Sequence, residues 1–265
     1  MTRYFDSHAH LTEENAADLQ TVLSACREAG VRHIVDVGSN LDDSARCVAH
    51  AKAHGGIHAA VGVHPHASMD MPPGEGMERL HALVARGGVS AIGETGLDYH
   101  YDRDWREEQL KWFDAQLGLA AETGLPVIVH DREAHGDVLD VLKRYRGRVT
   151  GVLHCFSGSY EMAKQCIALG FYISFSGSVT FKNARRLQET AARLPLERLL
   201  IETDSPYLTP EPMRGRRPNQ PAYVVHVAEC LARLHGAEVE EVAETTYKNA
   251  CALFGIRKKD GEEDA

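Results

Sequence analysis

The chain contains no apolar run approaching the roughly 20 residues of a membrane span, and its N-terminus lacks the charged-then-apolar design of a secretory signal. Both absences point to a soluble, cytoplasmic protein with no membrane partner. Closely spaced cysteine pairs are missing as well. The six cysteines (Cys26, Cys47, Cys155, Cys166, Cys230 and Cys251) are scattered with no C-x-x-C, and most sit among apolar neighbours in predicted helices, so they read as buried reduced thiols. An excess of positive charge is lacking: 29 Lys and Arg stand against 38 Asp and Glu, for a net charge of -9. That balance argues against a general basic coat for nucleic acid, although a local basic rim or bound cations could still hold phosphates. No long linker, low-complexity block or sharp change of composition divides the chain.

What is present suits one large α/β domain: 265 residues with 43% hydrophobic content can bury a sizeable core. Short apolar runs rich in β-branched residues occur at RHIVDVG (32–38), HAAVGVH (58–64), VSAIGE (89–94), PVIVH (126–130), TGVLHCF (150–156), FYISFSG (171–177) and LLIETD (199–204). With the opening run around Tyr4 and Phe5 they make eight candidate strands. Runs of this kind fit parallel strands buried on both faces, and the segments between them carry helical spacing, as at 105–124. Residues near successive strand ends (His8, Asp36, His64, Glu94, His130, His154, Ser176, Asp204) recur every 22 to 36 positions. This strand–helix metre predicts a (β/α)8 TIM barrel over residues 1–256, closed by helices near 221–235 and 238–254, with a doubly wound open sheet as the alternative. The charged tail RKKDGEEDA (257–265) reads as solvated and frayed. The segments 69–76 and 209–221, rich in Pro and Gly, read as irregular loops following strands.

The stretch YFDSHAH (4–10) sets His8 and His10 one residue apart. In a strand, residues i and i+2 share a face, so two imidazoles at its end could grip one ion. In a chain with 15 histidines H-x-H is a weak sign by itself. It gains force because His8, His10, His64, Glu94, His130, His154 and Asp204 all stand at the C-terminal ends of apolar strands, the face on which barrels work. A lone histidine there would read as a satisfied core residue. So many ionisable groups converging from different strands do not, since each costs several kcal/mol if left unpaired. The expected centre holds two divalent cations. His8, His10, Asp204 and one oxygen of Glu94 would take the first; the other Glu94 oxygen, His130 and His154 would take the second. Nitrogen and oxygen donors suit zinc, manganese or iron, with magnesium less natural among so many imidazoles. A metal pair about 3.5 to 4 Å apart activates water and clamps the entering and leaving oxygens of a phosphoryl transfer, so hydrolysis is the expected reaction class.

Six stretches carry a family resemblance: FDSHAHL (5–11), GVHPH (62–66), IGETGLDYHYD (92–102), LPVIVHDREAHGDVLDVL (125–142), GVLHCFSGS (151–159) and LLIETDSPYLTPEPMRG (199–215). Together they make the chain resemble the TatD family of metal-dependent hydrolases, within the amidohydrolase-like metal barrels, over nearly its whole length. The resemblance implies a metal-dependent deoxyribonuclease, in some members a 3′ to 5′ exonuclease on single-stranded DNA. It implies the ligand set above, with Glu94 where related hydrolases carry a modified lysine. It also extends to catalysis by Asp204, Glu202 and His64. Asp204 could accept the proton of the attacking water, and Glu202 or His64 could orient water or protonate a leaving oxygen. Glu202 reads equally as a carboxylate that fixes a histidine. His66 would lie past its strand end, and Asp98 could face substrate or cap the next helix.

A phosphodiester substrate also needs cationic or hydrogen-bonding groups, and the candidates are Arg132, Ser157, Ser159, Arg214, Arg216 and Arg217. Their plainer reading is a solvated rim. RGRRPNQP (214–221) is one residue longer than the R-G-K-x-N-[EQ]-P stretch expected of the family, which puts that loop's contacts in question. Tyr99, Tyr101 and Trp105 could stack on bases or simply pack at the start of a helix. Hydrolysis of a C–N or ester bond in a small molecule or an aminoacyl-RNA is the alternative function. A binding protein that merely keeps the fold has no use for the full ligand set.

Overall fold

The computed structural model describes residues 2–11, 18–101 and 103–256. Eight parallel strands lie side by side in chain order. They are β1 (Tyr4–Ala9), β2 (Val31–Val37), β3 (Ile57–Val61), β4 (Val89–Asp98), β5 (Val127–Arg132), β6 (Gly151–Leu153), β7 (Tyr172–Phe175) and β8 (Leu199–Ile201). Between them run α1 (Leu19–Glu28), α2 (Leu41–Ala53), α3 (Pro73–Ala85), α4 (Arg106–Thr123), α5 (His135–Arg144), α6 (Tyr160–Ala168) and α7 (Arg185–Ala191), and α8 (Val224–His235) and α9 (Val239–Leu253) follow β8. The sheet closes through the segment beyond β8. Ala9 bridges Ser205, the His10 N–H donates to the Ser205 carbonyl at 2.8 Å, and the Asp204 N–H donates to that of His8 at 3.0 Å. The buried Asp6 carboxylate stitches the same seam by accepting from the Thr203 N–H and hydroxyl at 2.9 and 2.6 Å. The architecture is the (β/α)8 barrel that the strand metre predicts.

Local chemistry explains where the helices start and stop. Asn40 caps α2 by accepting from the backbone of Asp42 and Asp43, whose carboxylates favour that end of the helix dipole. Gly124, at φ 71°, ends α4 in the left-handed conformation that glycine adopts without strain. Two expectations change. Segment 69–76 is only half a loop, because Pro73 supplies a pre-set φ for the first turn of α3. Four of the six free thiols are buried as expected, whereas Cys155, just past β6, and Cys251, in α9, are only half-buried. The charged tail 257–265 lies outside the described residues. Among those described, no helix is long and apolar enough to cross a membrane.

Apolar side chains form two layers. The larger packs helices against the outer face of the sheet, with Trp112, Phe113 and Leu117 of α4 fully buried there. The smaller fills the barrel interior with Phe5, Val35, Ala60, Ile128, Val152 and Leu200, and α9 seals it with Leu253 and Phe254. Phe5 stacks 5.9 Å from both Phe254 and His58. His58 in turn shares a 3.0 Å contact with His33. Burial, and secondarily the neighbouring His33, lower the pKa of His58 to about 4. The unfolded chain therefore binds a proton at His58 that the folded chain refuses between pH 6.5 and 4, and stability falls with pH across that window. In urea titrations at pH 7.5 and pH 5.0, His58→Gln should remove about 2 kcal/mol of the wild type's pH-dependent loss. Equal losses in the two proteins would contradict this origin.

Candidate metal centre

Several polar groups at the barrel mouth are delivered by departures from regular strand geometry. The pairing of β1 with β2 slips between Asp6 and Ala9, and the His8 and His10 Nε2 atoms end 3.3 Å apart. Glu94 lies within β4 rather than at its end, between Gly93 and Gly96, whose φ angles of 145° and 142° are open to glycine alone. A Cβ on Gly96 would overlap the His130 carbonyl oxygen, so glycine here lets β4 and β5 pack closely beside the site. The non-glycine residues with positive φ, Glu133, Cys155, Asp204 and Leu208, all follow β5, β6 or β8 on this face. Asp204, at φ 54°, swings its carboxylate inward.

The result is a ring of donors around one carboxylate. Glu94 is 3% exposed and its two oxygens face different partners. Oε2 lies 3.4 Å from His8 Nε2 and 3.8 Å from His10 Nε2. Oε1 lies 2.7 Å from both His130 Nδ1 and His154 Nε2, and 3.5 Å from His64 Nε2. Asp204 Oδ1 completes the first set, 3.7 and 3.8 Å from His8 and His10. Donor atoms of His8, His10 and Asp204 lie within 4.8 Å of one another, as do those of His64, Glu94 and His130, and those of His8, His154 and Glu202.

Hydrogen bonds on the far side of each ring sort the histidines. The Nδ1–H of His10 donates to the Val37 carbonyl at 2.8 Å, which leaves the Nε2 lone pair pointing inward. Glu202, fully buried, takes the Nδ1–H of His154 at 3.3 Å and the Cys155 N–H at 2.7 Å, leaving Nε2 of His154 free. Asp98 takes the Nε2–H of His130 at 3.3 Å, leaving its Nδ1 free. This is the outer support expected of metal-binding imidazoles. His64 is wired oppositely: its Nδ1 accepts the His66 N–H at 3.1 Å, so the neutral ring carries its proton on Nε2, toward Glu94. Burial also lowers the pKa of His64 well below the ordinary value, against the pull of Glu94. In His8, Nδ1 has no partner among the described residues.

The donor set fits a cation on electrostatic grounds. Lone pairs of His130 and His154 aimed at Glu94 from 2.7 Å repel it unless a proton or a metal stands between them. Burial by itself would lift the Glu94 pKa, yet His154, His64 and His8 hold it well below the usual range. His154 shows the reverse: burial opposes its charge, and Glu94 and Glu202 raise its pKa well above normal.

Sequence reasoning missed part of this arrangement. Asp98 Oδ1 accepts from the N–H groups of His100 and Tyr101 at 2.9 and 3.3 Å in the turn after β4, whereas Trp105 takes the N-cap position of α4. Asp98 is fully buried at the end of β4, and its Oδ2 lies 3.0 Å from His66 as well as beside His130. Glu94, Gly96 and Asp98 share the period-2 face of one strand, so a strand read through to residue 98 would have found it. Two buried glutamines one heptad apart on α4 also went unnoticed. Gln109 exchanges hydrogen bonds with the Asp98 backbone, and Gln116 does so with Val63 while donating to Thr95.

At the rim, Arg132 lies over the Tyr101 ring at 4.7 Å and Arg214 over Phe181 at 3.6 Å. Arg216, Arg217 and Ser157 are exposed. Ser159 is spent as the cap of α6, and the Tyr99 hydroxyl donates to Asp137 at 2.6 Å, so Tyr99 packs rather than stacks on a ligand. In the long loop before α8 the tip 214–218 is exposed, while buried Asn219 donates to the carbonyls of Thr203 and Tyr207.

The sequence pattern of the TatD related DNase family matches residues 5–255. Over 254 residues the chain is 43% identical to the "Uncharacterized metal-dependent hydrolase YabD" of Bacillus subtilis, covering 95% of this chain and 99% of that one. It is 37% identical over 258 residues to a Klebsiella pneumoniae protein named "3'-5' ssDNA/RNA exonuclease TatD", covering 95% and 98%. The solved structure of YJJV, a TatD homolog from Escherichia coli K12, superposes with a TM-score of 0.90 at 32% identity, covering 97% and 99%.

If these donors hold metal, exchanging His8 and His10 together for alanine lowers bound zinc or manganese measured by elemental analysis. Glu202→Gln spares every inward-facing donor of the two sets around Glu94 yet should weaken metal affinity about 10- to 100-fold. Full metal content in the double variant would sink the assignment.

Proposed function

The chain belongs to the TatD related DNase family, metal-dependent hydrolases acting on ester bonds, and from that premise we propose that it cleaves phosphodiester bonds of single-stranded DNA, removing nucleotides from the 3′ end. The observation that carries the reading is the divided carboxylate of Glu94, with one oxygen toward His8 and His10 and the other toward His130 and His154. We assign His8, His10, Asp204 and Glu94 Oε2 to one divalent cation, and Glu94 Oε1, His130 and His154 to a second. Zinc, manganese or iron suits these donors better than magnesium. Such cations would supply Lewis acidity, activating water and neutralising charge on a phosphoryl group.

The chain's own residues do the rest. Burial raises the Asp204 pKa, which makes its carboxylate a better acceptor for the proton that the attacking water loses. His64 keeps the single proton of its neutral ring on Nε2, facing the site, where it can donate a hydrogen bond to the departing oxygen. Glu202 holds His154 in register. Arg132, Ser157, Arg214 and Arg216 stand at the rim, where they would meet the phosphates and compensate for the chain's net negative charge. The unpaired thiols fit the cytoplasm.

Metal-loaded protein incubated with single-stranded DNA labelled at either end should give ladders shortening from the 3′ end, and Asp204→Asn should give none. Intact DNA in protein of confirmed metal content would overturn the proposal in favour of carbonyl substrates such as esters, amides or aminoacyl-RNA. His64→Ala should lower kcat about 10²- to 10³-fold, as for loss of one donor to developing negative charge, while leaving metal content unchanged.

A further inference from the structure

Four large apolar side chains are exposed among the described residues: Met69 (41%), Tyr101 (64%), Trp105 (46%) and Tyr207 (60%). All four follow β3, β4 or β8 and so stand on the face that carries the donor ring. Exposed aromatic surface gathered on the working face of a barrel marks a place where something apolar is meant to lie.

Two of the four connect directly to the site. The Tyr101 ring meets His66 edge-on at 5.6 Å, and the Tyr207 ring meets His10 in the same manner at 6.4 Å. Between them the imidazoles of His66, His64, His130, His154, His8 and His10 follow one another at centroid separations of 3.9 to 5.5 Å. An unbroken line of rings therefore crosses the mouth, with an exposed tyrosine at each end and Glu94 beneath its middle. Both tyrosines are held in place. Arg132 lies over the ring of Tyr101 and His100 abuts it at 4.6 Å. The Tyr207 backbone is fixed by its N–H bond to Asp204 and by the amide of Asn219. A tyrosine side chain has only two rotatable bonds, so it loses little freedom when a flat partner settles on its ring.

We propose that Tyr101 and Tyr207 are stacking platforms for the two nucleobases that flank the scissile phosphate, one on each side of the metal centre. The proposal rests on the phosphodiesterase reading and gives it a substrate form. A phosphate over Glu94 sends its two nucleosides in opposite directions, and each meets a tyrosine whose face accepts any base. Two neighbouring bases can splay apart in this way only when neither is paired, so the same feature selects single strands without reading sequence. Tyr101 then also carries Arg132 toward the backbone of the nucleotide that it stacks.

The test is steady-state kinetics of the metal-loaded protein on a deoxythymidine decamer and on decamers with an abasic residue at the last or the penultimate position. Tyr101→Ala and Tyr207→Ala should each raise KM for the intact decamer roughly 5- to 150-fold, the range of base–aromatic stacking. The corresponding phenylalanine variants should stay near wild type. Each alanine variant should lose its defect on one abasic substrate, and the two variants should differ in which one. Unchanged KM in both alanine variants, with wild-type cleavage intact, would overturn the platforms while leaving the nuclease reading standing. Phenylalanine variants as impaired as alanine would assign the effect to the hydroxyl and also overturn stacking. Failure of the wild type to cleave the decamer at all would remove the nuclease reading and this proposal with it.

Discussion

Burying the charge of Glu94 in the mouth of a barrel imposes the condition that the rest of the site satisfies. A carboxylate removed from water requires positive charge or hydrogen-bond donors around it, and here the neighbours are almost entirely imidazoles. Imidazole serves only if the correct nitrogen faces inward. That explains why Val37, Asp98 and Glu202 occupy the far sides of His10, His130 and His154. The outer acceptors are themselves buried, and the helix layer anchors them through Gln109 to Asp98. The requirement passes outward from one side chain to a ring of histidines, to their carboxylate supports, and to the packing of α4.

Much of this was legible in the sequence because parallel strands announce themselves as apolar runs, and a polar residue at the end of such a run is conspicuous. His8, His10, His130 and His154 lie at the barrel mouth, and the oxygens of Glu94 face His8 and His10 on one side and His130 and His154 on the other. The failures have a common cause in boundaries. VSAIGE stops at the glutamate, whereas β4 runs four residues further through Gly96, which puts Asp98 on the strand rather than in the loop after it. His66 does lie beyond its strand, but the three-residue turn after His64 brings it back onto Asp98. Gln109 and Gln116 were invisible because a polar pair seven apart on a helix reads as a solvated face until the backbone groups it satisfies are known.

Chemistry and stability occupy opposite ends of the same strands. At the mouth, positive-φ residues gather in the loops, and buried charge gathers there and on the last residues of β4. At the other end Phe5, Tyr247 and Phe254 form a closed aromatic floor, with Arg3 paired to Glu244 at 3.0 Å beside it. The floor supports strands whose interior would otherwise be capped only by the polar groups of the site. It also accounts for the small interior residues Ala60 and Ala91, which leave room for the rings.

That floor joins the first strand to the last helix. Phe5 reaches its final neighbours only when residues 244–254 are in place, a separation spanning nearly the entire chain. During synthesis, the earliest strands therefore wait with an open, wettable interior until the ribosome has delivered α9. A chain cut short before its last helix would retain every donor around Glu94 and still lack the lid that keeps water out from below.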